Sequence, residues 1–307
     1  MSNLLTILPC LKGREFYTER YLGLARLFSY HHHILLIQEK GSRNILIPSE
    51  LKTLSIRTEI SINGMSDIFK AIADSEKKII HYDYCHFVED DNFVFADSLL
   101  YLSNILDKSP EYSGAVGNSF IYDKKNYKIL NNYKLPSLNS NNPLDRLEDY
   151  ISQGGLTYYS LFRSEEFIQI CIKVRKVSDH NMSELAFNTL TPLRCKIKFC
   201  NVLFLAREYP RPKVYNVPQS LDWLTNKQFS NELNNIVKVI NEELIPIVNF
   251  SKNQEVFDLT LANYFSSRFA GSQPRFLINL INLIKKISFN NNKEAKKMLR
   301  YIRINFK

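Results

Sequence analysis

Apolar residues along the chain fall into two rhythms. Leu4–Leu8, Ile34–Ile37 and Tyr84–Val88 are short, largely apolar runs and Ile197–Ala206 a longer one, the signal of buried strands. Between such runs, apolar residues recur at helical spacing. In Glu15–Tyr30 they are Phe16, Leu22, Leu24, Leu27 and Phe28, and Asp67–Ala73 and Asp97–Leu106 read the same way. Pro9 closes the first run, and Asn63-Gly64 marks a turn before the second helix. Ile45–Ile47, Leu54–Ile60 and Gly114–Tyr122 are further strand candidates. Strands alternating with helices predict an α/β, Rossmann-like fold: a mostly parallel sheet flanked by helices.

The pattern loosens after residue 125. Asn131–Pro143 is rich in Asn, Ser and Pro and reads as a loop, followed by a helix at Arg146–Ile151. Leu156–Phe162 reads as a tyrosine-rich strand, and Ser164 as the cap of a helix from Glu165. Met182–Leu193 is a helix. Pro210, Pro212 and Pro218 punctuate an extended stretch, and from Leu221 to Lys307 the pattern is helical.

Composition changes this picture in two places. The net charge of +9 is concentrated at the end, because residues 275–307 hold nine basic residues and one acid, Glu294. The basicity therefore belongs to the tail and says little about the main domain. Within it, Met298, Tyr301 and Ile302 share a face opposite Lys296, Lys297, Arg300 and Arg303. A basic amphipathic helix suits an anionic membrane surface, and it equally suits docking with its basic face in water or an oligomer interface. No nucleic-acid fold signature accompanies it. Cys10, Cys85, Cys171, Cys195 and Cys200 lack a C-x-x-C pair and read as reduced core thiols, which points to a cytoplasmic location. The N-terminus lacks the basic region of a signal peptide, and no apolar run reaches the roughly 18 residues of a membrane span.

Chemistry concentrates at Glu89-Asp90-Asp91, which directly follow the run Tyr84–Val88. In open α/β sheets ligands bind beyond the carboxyl ends of the strands. Three adjacent acids there repel one another unless a cation neutralises them, and oxygen ligands suit Mg²⁺ or Mn²⁺. The alternative is an acidic turn facing water. The first strand leads into Pro9-Cys10-Leu11-Lys12-Gly13-Arg14, where backbone N–H groups and the charges of Lys12 and Arg14 suit a diphosphate. Asn63 is placed to read a base edge, and Gly64 to let a ligand approach the backbone; an ordinary turn is the competing reading. Asp179 and Glu184 lie in a polar cluster at a helix start, where acids are also plain capping residues. His31-His32-His33 cannot easily converge on one metal from a strand.

In this order the motifs resemble a family-2-like glycosyltransferase with the GT-A fold. They are Leu5–Pro9 with Lys12-Gly13-Arg14, then Asn63-Gly64, then His86–Phe93. Leu156–Arg163 resembles the strand bordering the family's acceptor site, and Ala206-Arg207-Glu208 resembles a bacterial surface-polysaccharide subgroup. The resemblance implies a glycosyltransferase domain over 1–210, with a nucleotide-sugar half at about 1–125 and an acceptor half at about 126–210. A helical region at 211–307 lies outside it. It also implies transfer, with inversion, from a nucleotide sugar to a saccharide or lipid-linked acceptor. The family's D-x-D motif corresponds to Glu89-Asp90-Asp91: Asp91 on a divalent metal, Glu89 at the ribose or assisting the metal, Asp90 at the sugar. The base corresponds to Glu184, with Asp179 as alternate. A lipid-linked acceptor would join the basic tail to the inner face of the membrane. A nucleotidyltransferase and a non-catalytic membrane-surface protein are the rival readings.

Overall fold

The computed structural model describes residues 3–134, 137–153, 155–209 and 227–244. The basic tail at 275–307, the Pro210–Pro218 stretch and the helical pattern outside 227–244 lie outside the described residues.

The N-terminal half is the expected alternation: β1 (Leu4–Cys10), α1 (Glu15–Leu27), β2 (His33–Gln38), β3 (Thr53–Arg57), α2 (Met65–Asp74), α3 (Glu76–Ile79) and β4 (Tyr84–Phe87). The four strands are parallel, in the order β3-β2-β1-β4. β1 is buried throughout, as its largely apolar run leads one to expect. It runs through Pro9 to Cys10, so Pro9 belongs to the strand and not to the loop beyond it. Ile7 and Pro9 share the side facing β4, and pairing with β4 ends at Ile7. The missing N–H of Pro9 therefore removes no ladder bond.

The second half is mixed. It contains β5 (Asn92–Val94), α4 (Ala96–Asp107), β6 (Gly114–Asp123), β7 (Lys128–Lys134), α5 (Pro143–Gln153), β8 (Leu161–Arg163), α6 (Ser164–Val174), α7 (His180–Arg194), β9 (Ile197–Tyr209) and α8 (Lys227–Leu244). β8 runs antiparallel between β4 and β6 and joins the halves into one nine-stranded sheet. β6 pairs in parallel with β9, β5 closes the path on the far side of β9, and β7 pairs with β6.

Four expectations change. Ile45–Ile47 forms no strand, and Leu46 is 84% exposed. The start of the expected Asn131–Pro143 loop belongs to β7. Tyr158 and Tyr159 lie in a 3-10 turn, Thr157–Tyr159, ahead of β8. A strand would send consecutive side chains to opposite faces, but both rings are buried together, 4.5 Å apart. Ser164 is the first residue of α6, with Arg163 at the cap. The five cysteines are free and buried, as expected of core thiols. Among the described residues no helix is long and apolar enough to cross a membrane.

Candidate active site

The carboxyl ends of β1, β2 and β4 and the turn before α2 meet at one edge of the sheet. Gly13 turns the chain between β1 and α1 at φ +77°, in the left-handed region that favours glycine. Glu39, just beyond β2, ties the neighbouring loops together. One carboxylate oxygen accepts from Lys12 N at 2.8 Å and the other from Ile62 N at 3.1 Å. Glu39 is buried, and no periodic pattern marks it in the sequence, since its role depends on two distant backbone donors.

The acids follow β4 as expected. Arg14 grips Asp90 with two hydrogen bonds, Nε to Oδ2 at 2.9 Å and Nη2 to Oδ1 at 2.5 Å, and lies 3.4 Å from Asp91 Oδ2. Burial works against the Arg14 charge, but its hydrogen bonds to Asp90 hold the guanidinium protonated. Burial pushes the Asp90 carboxyl up, against the pull of Arg14. Burial, then Glu89 and Asp90, pushes Asp91 up to about 7.

Glu89 faces the second half of the sheet. Its Oε2 accepts from Tyr159 OH through a short hydrogen bond and from Asn92 Nδ2 at 3.0 Å. The Arg207 guanidinium lies 5.1 Å from the centre of the Tyr159 ring. Behind the acids, Arg20 forms a buried ion pair with Glu208 and donates to Asp91 O at 3.4 Å. Tyr122 OH donates to Glu208 at 3.1 Å, and Lys124 Nζ lies 3.3 Å from it. Arg14, Arg20 and Lys124 all approach the Tyr17 ring, at 4.5, 4.9 and 4.8 Å. Pairwise periodicity cannot reveal this cluster, because its members come from α1, β6 and β9.

Asn63 and Gly64 sit in the turn before α2, with Asn63 N donating to Asp67 at 2.8 Å. The turn abuts α7: Met65 N donates to His180 Nδ1 at 2.9 Å. Asp179 is the N-cap of α7, accepting from Met182 N at 2.9 Å, so its side chain has the capping role. Glu184 lies one turn into α7, buried, 3.6 Å from His180 Nε2. Burial raises the Tyr158 hydroxyl well above its ordinary value, and the charges of Glu184, then of Glu89, add to it. Tyr158 thus feels the charge of both carboxylates. Of the acids named from sequence, the structure brings Glu89, Asp90 and Asp91 together and places Glu184 on α7 beside His180.

Among the described residues no group of three or more His, Cys, Asp or Glu side chains forms a metal cage. A cation held by one or two carboxylates and by substrate phosphates needs no such cage. Asp91 Oδ1 is buried with no hydrogen-bond partner, an orphaned anionic oxygen that fits this role.

No protein-family model matches the sequence, and no curated protein does. Solved structures do match. The chain shares its fold with TarS of S. aureus. The structure of TarS 1–349 aligns with a TM-score of 0.57 and 12% identity, over 98% of this chain and 87% of that one. A further TarS structure gives 0.54 and 11%, covering 98% of this chain and 53% of TarS, so this chain spans about half its length. TarS is a wall teichoic acid glycosyltransferase. At these identities the likeness is one of fold.

Proposed function

We propose that this chain is a glycosyltransferase. It moves a sugar from a nucleotide-sugar donor to a hydroxyl of a saccharide or lipid-linked saccharide in the synthesis of a cell-surface polymer. The observation that carries this reading is the orphaned Asp91 Oδ1 within three clustered acids, at the carboxyl edge of the parallel strands. The fold shared with TarS supports it.

In this reading Asp91, assisted by Glu89, holds a divalent cation, Mn²⁺ or Mg²⁺. When bound, that ion neutralises charge on the departing diphosphate. Lys12 lies on the same edge to meet phosphate, whereas Arg14, expected from the sequence to do so as well, is engaged by Asp90. Glu184 accepts the proton of the attacking hydroxyl. The proposed displacement proceeds with inversion. The basic tail at 275–307 would hold the enzyme on an anionic membrane surface. Its deletion should then abolish turnover of a membrane-bound acceptor and spare a soluble analogue.

The test is a thermal-shift screen of UDP, GDP, CDP and their sugars, with and without Mn²⁺, on wild type and Asp91→Asn. A ligand that binds only the folded state raises its stability, by about 2.7 kcal/mol at a hundredfold excess over Kd. One nucleotide should stabilise wild type in a Mn²⁺-dependent way, and the variant should lose that gain. Because burial and its acidic neighbours raise the Asp91 carboxyl, the Mn²⁺ effect should be larger at pH 8 than at pH 5.5, where a proton competes for the carboxylate. No shift with any nucleotide would reject the reading.

A further inference from the structure

We propose that His180 is a positioning residue that couples the turn Asn63–Met65 to Glu184. The inference rests on the glycosyl-transfer reading for the meaning of Glu184, but its geometry stands apart from it.

Met65 N–H donates to His180 Nδ1 at 2.9 Å, so Nδ1 presents a lone pair. A neutral imidazole then carries its proton on Nε2. That nitrogen lies 3.6 Å from Glu184 Oε1, four residues further along the same helix. The separation exceeds a hydrogen bond, so the N–H orients the carboxylate rather than gripping it. This is the general arrangement of a base whose direction is set by a third group.

The turn and the imidazole are also in steric contact. A Cβ at Gly64 would lie 2.9 Å from His180 Cβ and 3.0 Å from Nδ1. A shift of the turn therefore moves the ring. Upstream, Ile62 N is held by Glu39, whose other oxygen holds Lys12 N, so the turn is tied to the loop after β1. A nucleotide that settles these loops settles His180, and through it the direction of Glu184. The device links occupancy on the donor side to readiness of the base on the acceptor side.

Two substitutions separate the two nitrogens. In His180→Asn the side-chain oxygen can replace Nδ1 as acceptor for Met65 N, but nothing replaces Nε2. In His180→Gln the amide can replace Nε2 toward Glu184, but the acceptor for Met65 N is lost. With the nucleotide sugar that wild type turns over, H180N should lower kcat about 10- to 100-fold and leave the donor KM unchanged. H180Q should raise the donor KM and keep most of kcat. Parallel changes in kcat and KM for both variants, as simple loss of packing would give, would overturn the proposal.

The tautomer is read separately from the ring ¹⁵N shifts of His180 in the wild-type protein. An unprotonated Nδ1 and a protonated Nε2 are expected, and the reverse would overturn the proposal even if both variants fail to fold. If wild type turns over no donor, the transfer reading falls. The coupling is then decided by that tautomer and by amide exchange at Met65, which should stay slow in H180N and quicken in H180Q. Equal rates in the two variants would reject it.

Discussion

At the scale of single residues, two histidines set the acid limit of this protein. His86 is fully buried beside the Phe204 ring, with Nδ1 3.3 Å from Ser160 O. His32 lies against the Tyr30 ring, with Nε2 3.0 Å from Thr6 Oγ1. Burial lowers His86 from 6.5 to about 3 and His32 from 6.5 to about 4. Below about pH 6.5 the unfolded chain takes up protons at these positions that the folded chain refuses. Stability therefore falls as the pH drops, down to about 4 for His32 and about 3 for His86, at about 1.4 kcal/mol per pH unit for each. Asp91, raised by burial and its acidic neighbours, acts in the opposite direction: its contribution is lost as pH rises from about 4 through 7. The wild-type slope is a sum, and a difference isolates one member. Urea unfolding of His86→Phe should show a slope shallower by about 1.4 kcal/mol per pH unit between pH 6 and 4. An unchanged slope would mean that His86 is protonated in the folded state.

At the scale of elements, α8 anchors the start of α7. Ile236, Val239 and Ile240 are buried, and Glu242 and Glu243 pair with Lys176, Lys173 and Arg194. Glu232 is buried too, and accepts from both Ser178 N at 2.9 Å and the Ser178 hydroxyl. Ser178 immediately precedes the Asp179 cap. Glu232→Ala should cost about 1–3 kcal/mol and speed amide exchange at Ser178–Met182, while Ile7 in β1 stays protected. The elements legible in the sequence were those with enough length for a period to show. The parallel strands and the helices α1, α2, α4 and α7 were read to within a few residues. β5 has three residues, too few for any rhythm. β7, KILNNYK, is polar enough to read as loop and forms only because β6 offers it an edge. Ile45–Ile47 carried strand residues without a partner, and side-chain type alone does not make a ladder. The acids of the site were visible because charge after an apolar run is conspicuous. Arg20, Glu39, Lys124 and Glu232 were not, because each acts through residues far away in the chain.

At the scale of the whole molecule, the Arg20–Glu208 pair ties β9 to α1 and supports the main chain of Asp91. Removing one partner leaves a buried charge without its counterion, which typically costs about 3–5 kcal/mol. Glu208→Ala should therefore lower the unfolding midpoint by several degrees. Glu208→Gln, which keeps an acceptor for Tyr122 OH, should lose less. Equal and small losses for both would mean that Asp91 O and solvent satisfy Arg20 without a counterion.

The path of β8 has a mechanical consequence. It hydrogen-bonds β4 on one side and β6 on the other, so the parallel strands of the first half and the mixed strands of the second form one uninterrupted ladder. Two lobes built on separate sheets can swing about a linker; a single ladder cannot fold along its middle without breaking its own bonds. Any closing over bound substrates therefore falls to the loops at the rim. Proteins of this build should show the same spacing between β1 and β9 whether empty or loaded, with the movement confined to the turns that carry the chemistry.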